Sequence, residues 1–183
     1  MNHDRKTAVI VGILILAAYS ILGTNNHNTK MLSMFLELIS GLAVISIAVL
    51  MFPYLKPYGK TLSLWYLGLK YIEGTITIIA GALFFIHSQA LLALRDQLYL
   101  VHAYIFAVPA LLFYYLLYQS RLIPRWLSVW GVVASLLLLV VNVLELMNAI
   151  SKMEILYLPI VLNEVVLALW LITKGFKVNT KVP

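Results

Sequence analysis

The sequence predicts an all-α polytopic membrane protein, with six transmembrane helices in one bundle and both termini in the cytoplasm. The first observation is composition: 63% of the 183 residues are hydrophobic and 11% are charged, with a mean hydropathy of +0.97. Soluble domains are roughly 45–50% apolar. The second observation is that apolar stretches long enough to cross a bilayer recur along the whole chain. Together they exclude a water-soluble globule.

The first apolar segment covers about residues 8–23. Its length is also that of a signal-peptide core, but the Asn-rich segment 24–28 offers no small-residue cleavage site, so we expect an uncleaved helix. The other predicted spans cover about residues 31–55, 62–87, 98–119, 126–148 and 155–173. Pro and Gly residues separate several of them. No connection is long enough to divide the chain, so residues 1–183 are predicted to form a single domain.

The distribution of basic residues predicts the orientation of the helices. Lys and Arg are concentrated in alternate connections, and cytoplasmic connections carry an excess of these residues. One side carries Arg5, Lys6, Lys56, Lys60, Arg121, Arg125, Lys174, Lys177 and Lys181, and the other carries Lys30, Arg95 and Lys152. The net charge of +6 is therefore interpreted as a topology signal. Because the charges form no patch with interleaved aromatic residues, we expect no nucleic-acid partner.

Motifs for catalysis are absent from the sequence. The chain has no cysteine, which excludes disulfides, thiol nucleophiles and Cys-bound metals. It contains no HExxH motif, no GxSxG motif and no glycine-rich phosphate loop. The sequence assigns no metal site and no cofactor, and it favours a non-enzymatic function.

Polar residues within the predicted spans are the most informative feature of the chain. They are Glu37, Lys70, Glu73, His102, Asn142, Glu145, Asn163 and Glu164. An ionised side chain at mid-bilayer costs about 2.5–3.5 kcal/mol on insertion scales. These residues must therefore face the interior, where they form one shared polar site or several small ones.

Helical spacing predicts how some of them are arranged. Tyr66, Lys70, Glu73 and Thr77 fall on one face of the third helix, and Lys70 can pair with Glu73 three residues later. Counting from the span ends places Glu73 and Glu164 near the midplane. It places Glu37, His102, Asn142 and Glu145 in the outer half, which predicts a polar cavity facing the extracytoplasmic side.

Three functions fit these residues. The leading hypothesis is an interior site that binds or transports a cation, a proton or a small polar or amphipathic molecule. In it, Glu73 and Glu164 are ligands or proton carriers, Lys70 is the counter-charge, and His102 with Glu145 is an outer gate. The second is a non-catalytic membrane subunit or regulator whose polar residues serve packing and partner recruitment. The third is a metal-dependent membrane enzyme acting on lipid. Besides the bilayer, a homodimer or a partner membrane protein fits the small number of spans.

Several motifs resemble a family of small bacterial membrane proteins known as domain of unknown function 4386. They are the opening Arg5-Lys6-Thr7-Ala8, Lys70 to Gly74, His102-Ala103-Tyr104, Tyr118 to Leu127, Leu158-Pro159, Leu167 to Leu171 and Lys174-Gly175-Phe176. The resemblance covers most of the chain. It implies a multi-pass protein of the bacterial plasma membrane with six helices, and it draws attention to Glu73, His102 and Glu164. It implies no particular activity.

Overall fold

The computed structural model describes residues 3–20, 30–83, 89–151 and 154–177, and all regular structure within these ranges is helical. The α-helices are α1 (His3–Ala18), α2 (Lys30–Leu55), α3 (Lys60–Leu83), α4 (Gln89–Ser120), α5 (Arg125–Leu146) and α6 (Leu158–Thr173). Short 3-10 turns, Lys56–Tyr58 and Glu154–Tyr157, precede α3 and α6. The predicted ends of the first and third spans, residues 23 and 87, lie outside the described residues.

Three helical stretches of the described chain are long and apolar enough to cross a membrane, namely Met31–Tyr58, Arg125–Leu146 and Ile155–Thr173. The remaining helices are shorter or carry charges in their apolar part: α1 has 16 residues, and α3 contains Lys70 and Glu73. The helical structure and these apolar stretches identify a membrane protein.

The helices form a closed ring in chain order. Each of them packs against its neighbours in the sequence, and α6 closes the ring by packing against α1. Helices that follow one another along the chain are usually adjacent in space. The ring leaves a space at its centre, to which five of the six helices contribute side chains.

Helices α2 and α3 cross at two glycines. A Cβ atom added at Gly74 would lie 2.7 Å from the Gly41 carbonyl oxygen and 2.5 Å from Ile45 Cγ1. A Cβ atom at Gly41 would lie 2.7 Å from the Gly74 carbonyl oxygen. Small residues permit such close backbone approach between helices in membranes. The crossing holds Glu73, next to Gly74, in a fixed position relative to α2.

The start of α1 and the residues at the end of α6 meet at one end of the bundle. The Arg5 guanidinium donates hydrogen bonds to the carbonyl oxygens of Ile172 and Thr173, both at 2.8 Å, where α6 leaves its last carbonyls without helical partners. Gly175 has a φ of +74°, and a Cβ atom there would lie 2.8 Å from Arg5 Nη1. The first and last motifs that carry the family resemblance are therefore in direct contact.

The same end collects most of the basic residues. Tyr54, at the end of α2, donates a hydrogen bond to Asp4 of α1, and the Lys177 amide donates one to the Leu122 carbonyl between α4 and α5. Exposed at this end are Lys6, Lys56, Lys60, Arg121, Arg125, Lys174 and Lys177. Two other residues used for the orientation, Lys152 and Lys181, lie outside the described part of the chain.

Candidate functional site

A cavity of about 230 Å³ lies at the centre of the ring. It is lined by side chains of α1, α2, α3, α4, α6 and the turn before α6, whereas no described residue of α5 lines it. Most of the lining is aliphatic or aromatic. The polar lining residues are Tyr19, Ser40, Tyr66, Lys70, Glu73, His102, Tyr157 and Glu164.

Lys70 and Glu73 form an ion pair on the cavity wall. The Lys70 ammonium donates a hydrogen bond of 3.0 Å to Glu73 Oε1 and lies 2.9 Å from Oε2, so it is in ionic contact with both carboxylate oxygens. Both residues are buried, and they project from the same face of α3 because they are three positions apart. The predicted pair is therefore present, and it borders an open space instead of closed packing.

His102 of α4 lies beside this pair. Its Nε2 atom is 3.9 Å from Glu73 Oε1, which is an electrostatic contact too long for a hydrogen bond. The Lys70 ammonium also lies 4.8 Å from the centre of the Phe106 ring, one helical turn further along α4. A cation over an aromatic face is attracted by the ring quadrupole. The α4 wall thus provides an imidazole and an aromatic face next to the α3 charges.

Glu164 of α6 is the second carboxylate of the cavity. Its Oε2 atom accepts a hydrogen bond of 2.8 Å from the hydroxyl of Tyr19, which directly follows α1. Among the described residues nothing donates a hydrogen bond to its other oxygen, Oε1. Lys70, which also lines the cavity, acts on Glu164 electrostatically. The described lining of the cavity therefore includes two carboxylates and one lysine, and the lysine is paired with Glu73.

Four predicted site residues lie elsewhere among the described residues. The Tyr157 hydroxyl is 3.1 Å from both Asn142 Oδ1 and Glu145 Oε2, so these two α5 residues join α5 to the turn before α6. Asn163 turns away from the cavity and donates a hydrogen bond of 3.1 Å to the Leu127 carbonyl of α5. The fourth, Glu37, is buried between helices. The polar residues thus form several small sites.

Glu37 pairs with Arg95, and this pairing corrects the sequence-based position of Arg95. Arg95 is predicted from the sequence to lie in an outer connection, because the predicted fourth span begins at residue 98. In the structure α4 begins at Gln89, and Arg95 lies inside it, buried, with its Nη2 atom 2.5 Å from Glu37 Oε1. Glu37 is fully buried. This pair joins α2 to α4 outside the cavity.

Tyr19 is a cavity residue that the sequence did not predict. It is an isolated aromatic residue in an apolar segment, and no spacing rule connects it to a partner 145 positions away. The available signal is chemical, because a tyrosine hydroxyl inside a membrane span needs a hydrogen-bond partner from another helix. Among the described residues, no group of three or more His, Asp or Glu side chains is arranged to hold a metal ion.

Comparison with known proteins identifies a family. A family model described as "Domain of unknown function (DUF4386)" matches residues 7–89 and 85–175. No curated protein matches the chain, and no solved structure matches it. The matched residues include every polar residue of the cavity and both charged pairs. The chain belongs to the DUF4386 family.

Proposed function

We propose that this protein spans the bacterial plasma membrane six times, with both termini and the basic end of the bundle in the cytoplasm. The proposal is supported by the collection of exposed Lys and Arg residues at the end where the chain begins and ends. Six helices that each cross the membrane once would leave the start of α1 and the end of α6 on the same side, as this collection of basic residues requires. The apolar residues exposed on their outer faces suit contact with lipid.

The absence of native cysteine makes the orientation directly testable. Lys60→Cys and Ser151→Cys place single thiols at exposed positions at opposite ends of the bundle. In intact cells with a permeable outer barrier, a membrane-impermeant maleimide is expected to label Ser151→Cys alone, and Lys60→Cys only after the inner membrane is opened. Labelling of Lys60→Cys in intact cells would contradict the proposed orientation.

We further propose that the central cavity binds a small molecule or ion within the bilayer. The observation that carries this proposal is the space of about 230 Å³ next to Glu73, Lys70, His102 and Glu164. Protein interiors are closely packed, and voids larger than a water molecule are few. Neither Glu37 nor Arg95, the other buried pair, lines this space.

Native mass spectrometry of the protein released from mild detergent tests this proposal. The comparison uses the parent chain, the Glu73→Gln plus Glu164→Gln double variant, and an Asp4→Asn control. Asp4 carries the same kind of side chain, but it bonds to Tyr54 near the start of α1, away from the cavity. We expect a discrete ligand on the parent and on Asp4→Asn that the double variant loses. Binding at the carboxylates would be contradicted if all three proteins retained the same ligand, or if none of them retained one.

A purely structural role predicts a different result. Removing one member of a buried ion pair leaves the other charge unpaired and costs about 3–5 kcal/mol. If the cavity residues serve packing alone, Glu73→Gln lowers the free energy of unfolding, and no added compound stabilises the parent more than the variant. Co-purification with one other membrane protein would then favour the role of a subunit.

A further inference from the structure

We infer that the ligand is a monovalent organic cation, an ammonium group on a small apolar or aromatic body. This inference rests on the proposed function and specifies the class of compound that the cavity accepts. It depends on three properties of the cavity: its balance of charges, two oxygen atoms of its lining residues that receive no hydrogen bond from the described residues, and its apolar walls. Each of them is visible in the described residues.

The described lining of the cavity has one more carboxylate than lysine. Lys70 contacts both oxygens of Glu73, so that pair is neutral as a unit. Glu164 has the neutral Tyr19 hydroxyl as its hydrogen-bond partner. Buried charges in membrane proteins are paired or neutralised, because an isolated ion inside a bilayer is costly. An ionised Glu164 therefore calls for one further positive charge, which a monovalent cation supplies.

Two oxygen atoms of the lining residues receive no hydrogen bond from the described residues. One is Glu164 Oε1, which accepts no hydrogen bond from the described residues. The other is the Tyr66 hydroxyl oxygen: Tyr66 is fully buried, lines the cavity, and its hydroxyl has no hydrogen-bond partner among the described residues. Both carboxylates act electrostatically on this hydroxyl. A buried polar atom without a partner costs about 1–3 kcal/mol, so an N–H donor at this place is favourable.

The walls around these acceptors suit an apolar body. Phe106 and Phe113 line the cavity, and Phe113 stacks on Tyr66 with ring centres 5.1 Å apart. Phe106 already lies against one ammonium group, that of Lys70. A cavity of about 150 Å³ lined by apolar side chains holds one benzene molecule. A space of about 230 Å³ has room for a ring with a short ammonium arm.

Other classes of ligand fit less well. Divalent Mg²⁺ and Ca²⁺ need about six or more oxygen ligands, whereas one of the two carboxylates here is engaged by Lys70 and the walls are mostly apolar. An anion would face Glu164 without an uncommitted lysine or arginine among the described lining residues, since Lys70 is paired with Glu73. A neutral apolar compound would fill the space but leave Glu164 Oε1 and the Tyr66 hydroxyl without partners.

The inferred class of ligand is tested with three compounds that share a phenyl ring on a two-carbon arm and differ in their terminal group. They are 2-phenylethylammonium, 2-phenylethanol and 3-phenylpropanoate. Their affinities are measured by isothermal titration calorimetry in detergent for the parent, Glu164→Gln and Asp4→Asn. Glutamine keeps an oxygen that can accept the Tyr19 hydrogen bond, so the variant removes the charge with little change of shape. We expect saturable binding of the ammonium probe to the parent and to Asp4→Asn, and binding to Glu164→Gln that is weaker by about tenfold or more.

Each alternative result has a defined meaning. The inferred class is wrong if the alcohol or the carboxylate binds the parent as tightly as the ammonium, or if Glu164→Gln leaves ammonium binding unchanged. A cavity-filling variant, Ala110→Leu, separates this failure from failure of the proposed function, because Ala110 lines the space without a charge. If Ala110→Leu weakens the binding of any probe, the cavity remains a binding site. If no probe binds, or if Ala110→Leu changes nothing, both proposals fail.

Discussion

Replacing Gly74 by alanine is expected to separate α2 from α3. The new methyl group would lie 2.7 Å from the Gly41 carbonyl oxygen and 2.5 Å from Ile45 Cγ1. Favourable contacts between carbon atoms occur at about 3.5–4.0 Å, so the helices must move apart by a large fraction of an ångström. The side chain of Ile45 can rotate, whereas the Gly41 carbonyl belongs to the α2 backbone. The substitution therefore overpacks an interface that includes main chain on both sides.

Gly68 supplies a matched control on the same helix. A Cβ atom added there meets no other atom within 4 Å. Alanine is favoured over glycine in a helix by about 1 kcal/mol, and this gain applies to both variants. Overpacking costs about 1–3 kcal/mol, so we expect Gly74→Ala to be less stable than Gly68→Ala by about that amount. Comparing two Gly→Ala variants cancels the propensity term and isolates the helix crossing.

The assay is equilibrium unfolding in mixed micelles with increasing SDS, followed by tryptophan fluorescence and circular dichroism. Gly41→Ala is expected to behave like Gly74→Ala. The double variant should lose less stability than the sum of the two, because one separation of the helices relieves both contacts. Equal unfolding midpoints for Gly74→Ala and Gly68→Ala would refute the close crossing, and so would strict additivity in the double variant.

Three further predictions concern the charged and polar contacts. Glu37→Leu and Arg95→Met should each lower the free energy of unfolding by about 3–5 kcal/mol, and the double variant should recover most of the loss; two additive losses in the same assay would contradict the buried pair. Tyr19→Phe should lower the free energy of unfolding by about 1.5–3 kcal/mol, because it removes a charge-assisted hydrogen bond to Glu164. In a chain that already carries Glu164→Leu, Tyr19→Phe should leave the free energy of unfolding unchanged, and a double-variant cycle checks this. Binding of the ammonium probe should strengthen as pH rises, because a proton and the cation compete for Glu164 and protonated His102 would also repel the cation. The pH slope should decrease in Glu164→Gln, and an unchanged slope in calorimetry would place the coupled proton elsewhere.

Contacts between two residues of the same helix could be predicted from the sequence. Lys70 and Glu73 are three residues apart, and helical geometry alone places them on the same face. The same geometry explains a difference between adjacent residues. Asn163 and Glu164 were both predicted to belong to the interior site, but consecutive helical positions are about 100° apart. Asn163 therefore reaches α5, while Glu164 reaches the cavity.

Contacts between residues of different helices could not be predicted from the sequence. The pairing of Glu37 with Arg95 depends on how far α4 extends before residue 98, and the polar residues of that segment favoured a connection over a helix. Tyr19 meets Glu164 only because α6 closes the ring against α1. Neither contact leaves a periodic signal, since each depends on the packing of helices that are distant along the chain.

Closure of the ring by its first and last helices also has a consequence for biosynthesis. Helices enter the membrane in the order of translation, so α1 has no α6 to pack against until nearly the whole chain has been made. Lys70 and Glu73 can insert together as a neutral pair, whereas Glu37 precedes Arg95 by 58 residues and Tyr19 precedes Glu164 by 145. The charged interior is therefore incomplete during most of synthesis. Arg5 can bond to the last carbonyls of α6 only after the final span has been inserted, and the central site forms in that same late step.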